Sequence, residues 1–176
     1  SESAPYSLLA ELDKVKDLNR PPIHLWNPDQ VKEIDMCILA DGTWEYEGGP
    51  ITRQRLVRLF STVLRLEADG RYYLVTPVEK CQIRVEDAPF VGVLMTSEGS
   101  GKDQQITITT NVAETVIVDA DHPLVFKPGE GDDVLIPYVL VRDGLLARLN
   151  RNVYYQLMDL VEEQGGNYVL WRDRKS

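Results

Sequence analysis

The chain has 176 residues, of which 43% are hydrophobic and 27% are charged. A typical domain has about 100–200 residues, so the length allows one ordinary domain or two small ones with a buried core. The 19 basic and 28 acidic residues give a net charge of −9. This balance argues against binding of nucleic acid polymers or anionic membranes, because both need many Lys and Arg contacts. A small local basic site remains compatible with it.

The sequence lacks the usual signals for membrane insertion or export. No apolar run reaches the roughly 18 residues of a membrane-spanning helix. Residues 1–6 lack the basic start and apolar stretch of a secretory signal. Cys37 and Cys81 lie beside apolar residues in strand-like segments, so we interpret both as small buried side chains. We therefore expect a cytoplasmic protein, and no pattern predicts a bound cofactor.

The first half of the chain alternates between helical and strand patterns. Apolar residues at helical spacing predict an amphipathic helix over 7–18, which the prolines near residue 21 terminate. Residues 34–40 predict a strand, and Asp41 with Gly42 is typical of a hairpin turn. A second apolar stripe predicts a long helix over 51–67 that ends at Asp69 and Gly70.

The second half reads mainly as short strands that follow one another closely, as in an antiparallel meander. The predicted strands cover residues 72–78, 81–85, 90–95, 105–110, 115–118, 124–126, 139–141 and 145–149. A helix is predicted over 153–163, and a last strand over 168–170.

The end of the chain resembles its beginning. Asp143 and Gly144 mark a second hairpin, which precedes a helix and a strand as Asp41 and Gly42 do. We interpret this as a duplicated hairpin, helix and strand unit, although two similar units can also arise by chance. The predicted fold is α+β, with antiparallel sheets in two small domains at residues 1–78 and 79–176 and a junction within 78–90.

Motifs for catalysis and metal binding are weak. Residues 99–102 (GSGK) resemble the end of a phosphate-binding loop, but Asp103 stands where that motif needs Ser or Thr. His24 and His122 are far apart, and neither has ligand-spaced neighbours. The acidic pairs are typical of solvated surface. These observations favour a protein without enzymatic activity.

The predicted helix over 51–67 carries an unusual concentration of arginine. Arg55, Arg58 and Arg65 fall at helical spacing opposite the apolar stripe, and Arg53 lies in the first turn. Guanidinium groups bind phosphate and carboxylate well. The helix face therefore either binds an anion or is a solvated face whose arginines pair with neighbouring acidic side chains.

An ordered series of short motifs also carries a family resemblance. The series consists of residues 41–44 (DGTW), 48–51 (GGPI), 56–60 (LVRLF), 76–80 (TPVEK), 85–90 (VEDAPF) and a last group within 137–151. In these motifs the chain resembles the bacterial family DUF1285, catalogued as a domain of unknown function. The resemblance spans nearly the whole chain after residue 20. It implies an internal duplication, a carboxyl-terminal half like a pleckstrin-homology barrel, and a pocket between the halves for a nucleotide-like ligand in signal transduction.

On this basis we expect a ligand-sensing module that binds a small anionic molecule. Arginines would meet its negative charge, Trp44 or Tyr138 would stack on it, and a polar loop would orient it. The expected ligand-binding residues are Trp44, Arg53, Arg58, Thr76, Glu79, Lys80, Tyr138, Arg142, Arg148 and Arg151. The alternative is an adaptor that binds a protein partner and has no small ligand, and an enzyme acting on a phosphoester comes third.

Overall fold

A computed structural model describes residues 6–13, 21–131 and 134–163. The chain divides into two compact units, Ser1–Asp87 and Ala88–Ser176. Each unit contains a six-stranded sheet with mostly antiparallel pairing and few helices. The predicted α+β class with two small domains is therefore confirmed. The boundary between the units along the chain falls after Asp87 rather than after residue 78, because the strand that starts at Glu79 pairs within the first sheet.

The first unit is built from two α-helices, a 3₁₀ turn and six strands. In chain order these are α1 (Tyr6–Asp13), the 3₁₀ turn (Ile23–Leu25), β1 (Gln30–Ile38), β2 (Trp44–Tyr46), β3 (Gly49–Pro50), α2 (Gln54–Thr62), β4 (Leu64–Leu66), β5 (Tyr72–Val75) and β6 (Glu79–Val85). The sheet order is β3-β2-β1-β6-β5-β4, in which β1 and β6 are parallel and every other pair is antiparallel. The sheet thus consists of two three-stranded meanders, β1–β2–β3 and β4–β5–β6, which are joined by the parallel pair of β1 and β6.

The predicted turn between the first two strands is confirmed. The Asp41 carboxylate accepts the backbone N–H of Thr43 at 2.9 Å, and Gly42 has a φ of 93°. That backbone conformation is easily adopted only by glycine. The turn therefore fixes the register in which Trp44 lies opposite Ile38.

The long helix predicted over 51–67 is wrong at its carboxyl-terminal end. Helix α2 ends at Thr62, and Leu64 and Leu66 belong to β4, where they pair with Leu74 and Tyr72. The Asp69–Gly70 signal closes the β4–β5 hairpin, not the helix. The spacing of Leu64 and Leu66 fits a half-buried strand as well as a helical stripe, and the pairing of β4 with β5 decides in favour of the strand.

The second unit has six strands and one long helix. Its elements are β7 (Phe90–Glu98), a 3₁₀ turn (Gly101–Asp103), β8 (Gln105–Thr110), β9 (Thr115–Ile117), β10 (Leu124–Pro128), β11 (Leu135–Arg142), β12 (Leu145–Leu149) and α3 (Arg151–Glu163). The sheet order is β10-β11-β12-β7-β8-β9, and only β12 and β7 are parallel. This unit too consists of two meanders, β7–β8–β9 and β10–β11–β12, which are joined by the parallel pair of β7 and β12.

Helix α3 packs against β7. At Gly92 of β7 an added Cβ atom would lie 2.8 Å from the Cδ2 atom of Leu149 on β12, so a larger residue there would force that side chain to shift. The Asn150 side chain accepts the backbone N–H of Val153 at 2.9 Å and begins the helix. Val153 and Leu157 of α3 are fully buried.

The strands of both meanders in the second unit, the helix over 153–163 and the burial of both cysteines are confirmed. The predicted strand over 168–170 and the end of the first helix, 14–18, lie outside the described residues. The two hairpins on which the duplication was based occupy different places, since Asp41 lies between the first two strands of its sheet and Asp143 between the last two. Among the described helices, none is long and apolar enough to cross a membrane.

Candidate functional site

Three exposed arginines, Arg53, Arg55 and Arg58, lie at the beginning of α2, and we refer to them as the α2 arginines. Arg53 is the residue that precedes the helix, and the other two follow within its first two turns. Side chains three residues apart on a helix are neighbours, with Cβ atoms about 5–6 Å apart. Helix α2 contains no acidic residue. Within the described part of the chain, Arg55 and Arg58 have no carboxylate at ion-pair distance.

An aromatic contact in the core holds α2 in place. Phe60 of the helix stacks on Trp44 of β2, with ring centroids 6.2 Å apart and an interplanar angle of 27°. Phe60 and Val57 form the buried side of the helix, which leaves Arg55 and Arg58 in solvent. Trp44 is only 1% exposed. The Trp44 ring, which was predicted to stack on a ligand, thus makes this core contact.

Thr76 and Glu79 form a tight turn between β5 and β6. The Thr76 hydroxyl accepts the backbone N–H groups of Val78 and Glu79 at 3.3 and 3.1 Å, and it lies 3.1 Å from the Glu79 carbonyl. The Thr76 backbone N–H also donates to that carbonyl at 2.9 Å. Thr76 is fully buried. Its observed contacts are those of a residue that shapes the chain reversal.

The Glu79 carboxylate is buried and paired with a lysine from the parallel strand. Glu79 is 6% exposed, and its Oε2 lies 3.1 Å from Lys32 Nζ and 3.5 Å from Cys81 Sγ. The hydrogen bond to Glu79 raises the pKa of Lys32 despite partial burial of the lysine. Burial, together with the Glu79 charge, raises the pKa of the Cys81 thiol to about 12. A thiol with this pKa is a poor nucleophile, because only the thiolate reacts.

Lys80 and Arg65 meet at one carboxylate on the other face of the sheet. Glu67 accepts from Lys80 Nζ at 2.6 Å and from Arg65 Nη2 at 2.6 Å. Burial alone would raise the pKa of Glu67, but the hydrogen bonds from Lys80 and Arg65 outweigh it and lower that pKa. Arg65 Nη1 also donates to the carbonyls of Ile23 and Trp26 at 3.0 and 2.9 Å. Arg65 therefore anchors the 3₁₀ turn to β4 and is not part of the exposed helix face.

Arg142 in the second unit is bound to a carboxylate and an aromatic ring. Its Nε lies 3.0 and 3.3 Å from the two carboxylate oxygens of Glu114. Its guanidinium carbon is 5.5 Å from the ring centroid of Phe90. Both contacts join strands or turns of the same sheet, so they stabilise the second unit.

The other predicted residues of the second unit lie on β11, β12 and α3. Tyr138 is buried and pairs with Arg148 across the β11–β12 hairpin. Lys127 Nζ lies 5.0 Å from the centre of the Tyr138 ring. Arg151 is exposed and is the first residue of α3. Of this group, Tyr138 and Arg148 are brought together by strand register.

The structure thus groups the ten predicted residues in small sets. Within the first unit, Thr76, Glu79 and Lys80 lie around one turn, and Arg53 and Arg58 lie at the beginning of α2. The partners Lys32, Glu67 and Glu114 were missed, because strand register pairs residues distant in the sequence and leaves no local signal. No group of three or more His, Cys, Asp or Glu side chains among the described residues could hold a metal ion.

Comparison with known proteins agrees with a two-unit α+β architecture. Residues 21–88 match the model of the domain of unknown function DUF1285, N-terminal domain, and residues 89–173 match its C-terminal domain. The chain is similar to the crystal structure of a DUF1285 family protein from Silicibacter pomeroyi DSS-3. The sequence identity is 44%, the TM-score is 0.80, and the match covers 91% of this chain and 85% of the other.

A second crystal structure is more distant. It is a DUF1285 family protein from Shewanella baltica OS155, with 28% identity, a TM-score of 0.53, and coverage of 70% of this chain and 90% of the other. No curated protein matches the chain. The protein belongs to the DUF1285 family, as its sequence motifs predicted.

Proposed function

We propose that the protein is a non-enzymatic module that binds a small anionic ligand through the α2 arginines. The observation that carries this proposal is the exposure of Arg55 and Arg58 on one short helix that contains no acidic residue. In a chain of net charge −9, two such guanidinium groups are a local exception. Phosphate and carboxylate are the groups that arginine binds best, often through two hydrogen bonds at once.

The other arginines support this choice by contrast. Arg65 and Arg142 each hold a carboxylate of their own unit, Glu67 and Glu114 respectively. Their charge is already balanced by a partner at 3.0 Å or less. The α2 arginines also lie near the amino-terminal end of their helix, where the helix dipole favours a negative charge. Arg55 and Arg58 are therefore the described arginines of the first unit best placed to meet an external anion.

A nucleotide-like phosphate compound is the first ligand class to test, and a role in cytoplasmic signal transduction is the corresponding biological proposal. Both follow from the family resemblance. The same resemblance supports a common origin of the two units by duplication, and their identical strand order is consistent with it. The likeness of the second unit to a pleckstrin-homology barrel rests on a sheet followed by the closing helix α3.

Thermal denaturation with a panel of anions tests the proposal. Phosphate, pyrophosphate and adenine and guanine nucleotides are compared with chloride at equal ionic strength. A ligand at 100 times its Kd stabilises the folded state by about 2.7 kcal/mol, so a bound anion raises Tm measurably. We expect the rise to disappear in the double variant Arg55→Ala/Arg58→Ala and to persist in Arg71→Ala, an exposed arginine outside α2. A flat response of the unaltered protein to the whole panel would contradict the proposal.

A further inference from the structure

The free edge of the second sheet has features of a peptide-binding strand. Strand β9 is the last strand of that sheet, and on its other side no described strand pairs with it. Two backbone bonds fix its pairing with β8: Thr110 N–H donates to Glu114 O at 2.8 Å, and Val118 N–H donates to Ile106 O at 2.9 Å. In an antiparallel ladder such bonds alternate with residues whose backbone groups point away.

This alternation determines which groups of β9 face outward. Residues 114, 116 and 118 bond to β8, so the N–H and C=O groups of Thr115 and Ile117 point to the free edge. The side chains of both residues are also exposed, Ile117 to 42%. The edge therefore offers two donors and two acceptors to an added strand.

Two rows of uncharged side chains lie on the sheet face beside this edge. Strand register places Leu94, Thr109 and Thr115 in one row across β7, β8 and β9. It places Thr96, Thr107 and Ile117 in the next row. Rows of threonine and branched aliphatic side chains favour a further strand with similar side chains, since cross-strand pairs of β-branched residues stabilise a sheet.

The surroundings of β9 are acidic. Residues 111–122 contain Glu114, Asp119 and Asp121 and no Lys or Arg. Glu114 is paired with Arg142, whereas Asp119 and Asp121 are exposed in the turn that follows the strand. A partner that pairs with this edge is therefore complementary when it is basic.

The other three sheet edges carry blocking residues that β9 lacks. Strand β3 contains Pro50, and β10 contains Lys127 and ends at Pro128. Proline and lysine are common means of blocking edge strands. Strand β4 contains Arg65, which binds the carbonyls of the neighbouring 3₁₀ turn.

We propose that β9 binds an extended basic peptide of a partner protein by strand addition. This inference is independent of the anion-binding proposal, because it concerns another unit and opposite charge. The bound segment would place β-branched residues beside Thr115 and Ile117 and Lys or Arg towards Asp119 and Asp121. The complex is weak, because the edge supplies only four backbone groups. It is also sensitive to salt, because the attraction between the basic peptide and the exposed carboxylates is screened.

The test uses a synthetic peptide that alternates Lys and Val over seven residues, with a Glu–Val peptide as the matched control. Amide hydrogen exchange and chemical shifts of the ¹⁵N-labelled protein are followed by NMR. We expect the Lys–Val peptide alone to shift the Thr115 and Ile117 amides and slow their exchange, and 0.5 M salt to weaken the effect at least several-fold. Absence of binding, or protection of amides elsewhere instead, would overturn the proposal.

Two variants keep the test decisive. Thr115→Pro removes an outward N–H and no bond to β8, so the protein folds but loses peptide binding. Ile117→Lys adds a repelling charge at the same edge and has the same effect without altering the backbone. The control Val93→Lys, at an exposed position on β7, leaves binding intact. Protection of Thr115 that rises with protein concentration in the absence of peptide would show self-pairing of β9 and overturn the proposal.

Discussion

The two units have the same strand order but differ in the connection between their meanders. In the first unit this connection, between β3 and β4, contains helix α2 and the α2 arginines. In the second unit it runs from β9 to β10 through residues 118–123, where the Asp119 carboxylate accepts the backbone N–H groups of Asp121 and His122 at 2.9 and 2.8 Å. One connection is thus a basic helix and the other an acidic turn.

This difference shows how one framework supports two kinds of surface. The sheets supply equivalent ends at which the chain must cross from one meander to the next. What crosses there is free to vary, because loops lie outside the hydrogen-bonded ladder. The first unit places cations at this position and the second places anions, and our two proposals assign ligands of opposite charge to the two units.

The largest expected effect concerns the packing of these connections. Phe60→Ala removes the ring that holds α2 on Trp44 and is expected to destabilise the protein by about 3–5 kcal/mol. Val118→Ala, in the other connection, removes less apolar surface and is expected to cost less, about 1–2 kcal/mol. Urea denaturation measures both values. Equal losses would mean that α2 is not held by its aromatic contact and would weaken the comparison.

A smaller effect is expected from the buried ion pair of the first unit. Lys32→Met leaves the Glu79 carboxylate buried without its cation, which we expect to cost about 2–4 kcal/mol, below the upper range because Lys32 is partly exposed. The double variant Lys32→Met/Glu79→Gln should recover part of this loss. Because the pKa of Lys32 is raised, its contribution is complete below the unfolded pKa of about 10.4 and is lost as the pH rises through the folded value. A stability profile at alkaline pH that is the same with and without Lys32 would contradict this account.

Arg65 separates a structural arginine from the proposed binding arginines. Arg65→Ala removes bonds to Glu67 and to the 3₁₀ turn and is expected to cost about 1.5–3 kcal/mol. The pKa of Glu67 is lowered, so its contribution is present above the unfolded pKa of about 4.3 and is lost as the pH falls through the folded value. The variant should therefore show a shallower loss of stability in acid. Its Tm response to anions should be unchanged, and loss of that response would place Arg65 in the binding site.

Much of the fold was predictable because its signals are local. The Asp41–Gly42 turn, the alternating strands of the second unit and helix α3 follow from turn chemistry and periodicity. The end of α2 was not predictable in this way, since Leu64 and Leu66 fit both a helical stripe and a strand. Pairing with β5 decides the matter, and the residues of β5 lie beyond the Asp69–Gly70 turn.

The candidate site was less predictable for the same reason. Sequence patterns located the arginine concentration but could not separate Arg65 from Arg55 and Arg58. That separation requires the end of the helix and the position of Glu67. Likewise, the burial of Trp44 and the pairing of Glu79 with Lys32 arise from contacts between separate elements, which no local pattern encodes.

NMR of the arginine side chains tests the central claim most directly. With ¹⁵N-arginine labelling, the Nε–H signals of individual arginines are followed during titration with ADP and with pyrophosphate. The account predicts saturable shifts of the Arg55 and Arg58 signals, with those of Arg65 and Arg142 unchanged. Titrations in which no arginine signal moves, or in which only Arg65 and Arg142 respond, would contradict it.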